Sequence, residues 1–304
     1  MQAYPTPAWS TGLVAAAVVA SLAVAAQTLE SPPPNLIAKS HARRRSPDDL
    51  EIGGDLAGLP FGTTRYLSRD DLLALPQVTY TVSDDPNFTG PTHVSGVALE
   101  DLTRALAGAP DADLVIAICK DLYRAHYPRA YLTVHHPFLG LKVNGQLPEG
   151  WPQAGEGHRQ KMGPYMISHR AFTPGFRILA HQDEAQIPWG VVRLEFNSEK
   201  MVFGAIAPPG PRANEPAVQD GYRIAQQNCF RCHDMGGEGG QKAHHPWLVL
   251  SAWATASPEY FAAYVRNPRS RNPHAQMYPN PTYDGATLHA LTAYFQTFSS
   301  REKP

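Results

Sequence analysis

The chain has 304 residues, 43% of them hydrophobic and 17% charged, enough to bury a sizeable core and too many for one small module. Its 26 basic and 27 acidic side chains give a formal net charge of -1, which leaves no electrostatic footprint for nucleic acid as a partner. Three cysteines exclude a disulfide framework, while 29 prolines and 24 glycines predict long connections between apolar elements.

Residues 1–26 read as an export signal. No charged side chain occurs before Glu30, and Leu13 to Ala26 is an almost wholly apolar run. A membrane span needs about 20 such residues, so this shorter run suits a signal-peptide core. Ala23-Val24-Ala25 supplies the small-x-small cleavage pattern. No Lys or Arg precedes the run, however, and an uncleaved membrane anchor stays open as the alternative. Residues 27–49, with Pro32-Pro33-Pro34 and Arg43-Arg44-Arg45, read as a solvated linker.

From 50 to 207 short β-rich runs dominate. Val78 to Val82 is β-branched and aromatic, as a strand is, and Leu99, Leu102 and Leu106 have helical spacing. Leu114 to Cys119 is a continuous apolar run that predicts a strand covered on both faces, and Val192 to Phe196 alternates as a half-buried strand does. The fold class expected is an α+β domain with a mixed sheet, followed by an all-α domain. Residues 208–216, rich in proline, read as a stiff extended linker, and 217–304 as helices broken by Gly/Pro loops.

Other chemistry in the 50–207 segment is sparse. Cys119 sits in the apolar run and reads as a buried thiol. His126, His135 and His169 are candidates to converge on a metal, though their separation gives that reading little specificity, and His135-His136 are poor joint ligands because neighbours on a strand face opposite ways. His158 and His181 are further histidines of the segment. Asp84-Asp85 reads as a solvated turn rather than a calcium pair.

The C-terminal segment carries the specific signal. Cys229-Phe230-Arg231-Cys232-His233 is C-x-x-C-H, the attachment signature of a covalent c-type haem. Cysteines three apart on a helix end face one side and can form thioethers to the two vinyl groups of one porphyrin, and the next residue, His233, places an imidazole under the iron. A structural zinc site would need a second ligand pair, and Cys119 is the one other cysteine. Met277, in a Pro-rich loop 44 residues after His233, is the expected sixth ligand, a thioether that raises the potential relative to bis-His ligation. Met235 is too close to His233 to reach the opposite face; His244, His245, His274 and His289 compete with Met277.

Residues 217 to 300 resemble class I cytochrome c. Gly221 and Tyr222 match the glycine and aromatic of its first helix, and Leu288, Leu291, Tyr294, Phe295 and Phe298 its crossing C-terminal helix. The family's Met-Pro loop is here Met277-Tyr278-Pro279, with one residue inserted. The resemblance implies that a proline carbonyl, that of Pro246, holds the axial His Nδ1. Tyr222 and Tyr294 read as helix-packing residues.

Residues 50 to 203 resemble, through shorter pieces, the molybdopterin-binding domain of the sulfite oxidase class: Leu72 to Thr79, Val94 to Leu99 with Asp101-Leu102, Asp121-Leu122-Tyr123 with the family's glycine replaced, Leu141 to Pro148, and Met162 to Ile167. In catalytic members a cysteine between the first strand and the Ser-Gly turn binds molybdenum, yet Thr81 to Val94 contains none. The resemblance therefore implies the fold without molybdopterin, as a docking or ligand-binding module.

The expectation is an exported, periplasmic cytochrome with one covalent haem c, exchanging single electrons with redox partner proteins. The alternative is a haem-containing, sulfite-dehydrogenase-like oxidoreductase with a pterin in its N-terminal domain. A third reading is a subunit of a membrane-associated respiratory complex, anchored by its first residues.

Overall fold

A computed structural model describes residues 35–83, 85–154, 160–170 and 186–302. The apolar run at 13–26, with its signal or anchor reading, lies outside them, as do Asp84, His158 and His181.

The first half runs through helix α1 (Leu36–Lys39), strands β1 (Leu50–Gly54) and β2 (Arg65–Leu67), helix α2 (Arg69–Leu73), strands β3 (Val78–Val82) and β4 (Thr92–Ala98), and helix α3 (Leu99–Leu106). Strands β5 (Leu114–Cys119) and β6 (Arg124–Pro128), helix α4 (Arg129–His135) and strand β7 (Phe138–Val143) follow. The short β8 (Gln153–Ala154) and β9 (Gln160–Lys161) precede β10 (Tyr165–Ser168) and the long β11 (Trp189–Asn197). Five helices then complete the described chain: α5 (Glu199–Gly204), α6 (Pro216–Asn228), α7 (Trp247–Ala256), α8 (Pro258–Arg266) and α9 (Gly285–Gln296), with short 3-10 turns between and after them.

Nine strands form one mixed sheet in the order β2-β1-β11-β10-β7-β4-β3, with β5 pairing β11 and β6. Strands β1 and β11 are parallel; the other pairings described in this sheet are antiparallel. The α+β region followed by an all-α region is thus the fold. The strand expected at Val78 to Val82, the helix at Leu99 to Leu106 and the strand at Leu114 to Cys119 form with those bounds. All three leucines of α3 face the core, which is what their spacing requires.

Strand β5 explains its own sequence. All six of its residues are buried, and their alternation sends Val115, Ala117 and Cys119 into the core of the sheet region. Leu114, Ile116 and Ile118 point the other way, into a second core. That core is shared with Val202, Phe203 and Ile206 at the end of the sheet region and with Val218, Ile224, Phe230, Trp247, Leu291 and Tyr294 of the helices. The helical region therefore covers the far face of this strand.

Residues 208–215 do not run extended. Gly210 takes φ +79°, and turn bonds from Ala213 N–H to the Gly210 carbonyl (3.2 Å) and from Glu215 N–H to the Arg212 carbonyl (3.0 Å) fold the segment back. Among the described residues, no helix is long and apolar enough to cross a membrane.

Candidate haem-attachment site

The site is built on the end of α6. Cys229 caps that helix, and its N–H still bonds the Ala225 carbonyl at 3.0 Å. The turn continues, with Cys232 N–H (3.1 Å) and His233 N–H (3.0 Å) both donating to the Cys229 carbonyl. This winding puts the two cysteines and the histidine on one short helical turn, as the C-x-x-C-H spacing predicts. Both cysteines are partly exposed and His233 is buried.

Three glycines let the chain wrap back over the motif. Gly236, Gly237 and Gly239 all have positive φ, and Gly240 lies so close that a Cβ there would strike the Arg231 carbonyl. The Gly240 N–H bonds the Phe230 carbonyl at 2.8 Å, closing the loop.

His233 Nδ1 lies 2.6 Å from the His245 carbonyl. A carbonyl only accepts, so Nδ1 carries the proton and Nε2 keeps its lone pair for a metal. The expected partner was the neighbouring Pro246, and the structure corrects this by one residue. Pro246 is the N-cap of α7 and its carbonyl accepts from Val249 N–H (3.0 Å), so it is committed to the first turn of that helix. Burial lowers the pKa of His233, opposed by its bond to His245. Burial raises that of the Cys232 thiol, and the cations Arg231 and Lys242 pull against it.

Helices α6 and α9 cross in close contact at Gly221, where a Cβ would overlap the Ala290 carbonyl and Tyr294 Cβ. Tyr222 and Tyr294 stack at 5.8 Å. Their hydroxyls donate to the Phe203 (2.9 Å) and Ile206 (2.6 Å) carbonyls, tying α6 and α9 to the end of the sheet region. Met277 is half-buried, and its loop is pinned to α8 by Asn280, whose N–H bonds the Arg266 carbonyl (3.0 Å) and whose side chain bonds the Val265 carbonyl (3.0 Å). The competing His244, His245, His274 and His289 are all exposed.

The sheet-region candidates do not converge. Strand alternation sends His126 toward the helices, where it stacks on Phe230 at 5.2 Å, and Tyr127 toward the opposite core. His169 lies on that opposite side, its Nε2 2.8 Å from the Tyr131 hydroxyl, with His135 flanking the same tyrosine at 4.4 Å. Among the described residues, no three His, Cys, Asp or Glu side chains are grouped to hold a metal ion. Cys119 is buried, and that burial pushes its thiol far up. Asp85 accepts from Asn87 N–H at 2.8 Å, a local turn.

Sequence reasoning missed the neighbours of the motif's two variable residues. Phe230 packs between His126 and Phe203, and Arg231 donates to the Tyr123 hydroxyl at 3.0 Å. The bulk of Phe230 was the one hint that this position is buried.

A helix ending in C-x-x-C-H, an imidazole fixed through Nδ1 and a glycine-mediated crossing with the last helix define a c-type cytochrome domain. Residues 216–295 match the family model described as cytochrome c oxidase, cbb3-type, subunit III, and the domain carries a covalently bound haem c that exchanges electrons with redox partners. No curated protein sequence matches the chain. Among solved structures, the sulfane dehydrogenase SoxCD from Paracoccus pantotrophus is 16% identical, covering 52% of this chain and 41% of that one, with a TM-score of 0.34. A likeness of that size carries no argument about fold or activity.

Proposed function

We propose that this protein is an exported, periplasmic monohaem cytochrome that moves one electron at a time, its sheet region serving as a docking module for the redox partner. In this reading Cys229 and Cys232 would hold the haem, and His233 Nε2 and Met277 would ligate its iron. The haem supplies a reversible ferric/ferrous couple; the chain supplies its ligands, their orientation and a buried setting. The His245 carbonyl fixes the His233 ring and its tautomer, so Nε2 would be held ready to ligate iron. With His233 and Met277 both ligating the iron, the haem would leave no coordination site for substrate and would supply outer-sphere electron transfer. The observation that carries this reading is the 2.6 Å contact between His233 Nδ1 and the His245 carbonyl beside the paired cysteines.

Met277→Ala tests the ligand set. We expect the ferric haem to shift toward high spin in its absorption spectrum; an unchanged low-spin spectrum removes Met277 from the site. Iron and molybdenum analysis of protein from its native host separates carrier from enzyme. About one iron and no molybdenum per chain supports the carrier, and stoichiometric molybdenum overturns it.

A further inference from the structure

The proposed haem attachment at Cys229 and Cys232 makes the hairpin between β5 and β6 a neighbour of the redox centre. We infer that Tyr123 of this hairpin is a positioning residue that holds the Arg231 cation beside the attachment cysteines, so that the sheet region raises the reduction potential of the haem.

The contacts are dense. Arg124 N–H donates to the Arg231 carbonyl at 2.9 Å, and Gln241 N–H to the Leu122 carbonyl at 3.0 Å. The hairpin thus bonds the motif itself and the chain that follows it. Leu122 takes φ +66°, a left-handed conformation unfavourable for a leucine, and its carbonyl is one of those used. Lys242 pairs with Asp121 at 2.7 Å across the same junction. Beneath them His126 stacks on Phe230 at 5.2 Å with the ring planes 18° apart.

Arg231 is the residue this arrangement controls. Its guanidinium donates to the Tyr123 hydroxyl at 3.0 Å and to the Asn228 side chain. It is next in the chain to Cys232, so its backbone lies about 4 Å from that of a haem-bearing residue. Reduction removes one positive charge from the iron. A cation held nearby in a half-buried setting favours the reduced state and raises the potential. Released into solvent, the same charge is screened and acts less.

The test is a spectroelectrochemical titration of full-length, haem-loaded protein. Covalent haem in the unaltered chain is checked first, because its absence would mean failure of the attachment reading rather than of this inference. We expect Arg231→Gln and Tyr123→Phe each to lower the midpoint potential, and the double variant to fall no further than Arg231→Gln alone. An unchanged potential in Tyr123→Phe, with covalent haem and a normal Soret band, overturns the inference, and so do additive shifts in the double variant. Arg231→Lys keeps the charge and loses the planar fork. It should fall between the unaltered protein and Arg231→Gln, and a potential equal to the unaltered protein's would overturn the positioning role even where Tyr123→Phe fails to fold.

Discussion

His126 and His169 are buried imidazoles on opposite sides of the sheet, and burial pushes each down to about 3. The nearby cations Arg124 and Arg231 add to the effect at His126, and His135 adds to it at His169. Among the described residues, both ring nitrogens of His126 and Nδ1 of His169 are buried with no hydrogen-bond partner, so nothing there favours a second proton on either ring. The sign follows from proton uptake. Below the unfolded value of about 6.5 the unfolded chain binds a proton that the folded one refuses, so stability falls as pH drops from about 6.5 towards 3. Each histidine contributes at most about 1.4 kcal/mol per pH unit in that window. Denaturant titrations of the unaltered protein and of His126→Phe across it should show a shallower decline for the variant; parallel curves would mean that His126 is not the group responsible.

At the scale of elements, the α6–α9 crossing is set by the missing side chain of Gly221. A Cβ there meets the backbone carbonyl of Ala290 and the base of Tyr294, and neither can swing away as a flexible side chain would. Gly221→Ala should therefore separate the helices despite alanine's better helix propensity. The expected loss is about 1–3 kcal/mol, read as a lower melting temperature. A variant as stable as the parent would mean that the crossing is looser than its geometry implies. Asp284 stabilises the start of α9 by accepting from Thr287 N–H at 2.8 Å, a contact that lowers the carboxyl's pKa. It marks where the last helix begins.

Across the whole molecule, the second core joins sheet and helices through one strand. Ile116 is fully buried in it, so Ile116→Ala should cost about 2–5 kcal/mol. Because both regions lose contacts together, far-UV ellipticity and the Soret band should report one coincident, lowered transition. Two separated transitions would show that the regions unfold independently. Under the proposed docking role, a shared core would give a partner a fixed approach to the haem domain, rather than a swinging one.

What the sequence determined by itself was local. The haem motif, the continuous apolar run of β5, the leucine spacing of α3 and the Gly221-Tyr222 pair all concern residues within a turn or two of each other, where strand and helix periods dictate which face each side chain takes. The fold class followed from those periods. Tertiary structure decided which faces meet. The His233 ring takes the His245 carbonyl because Pro246 is already committed to α7. His126 and His169 separate because the sheet lies between their surroundings. Arg231 meets Tyr123, 108 positions away, because β5 exposes a second apolar face that only the helices can cover. No local period encodes such a pairing; it is fixed by the requirement that both faces of one apolar strand be taken out of water.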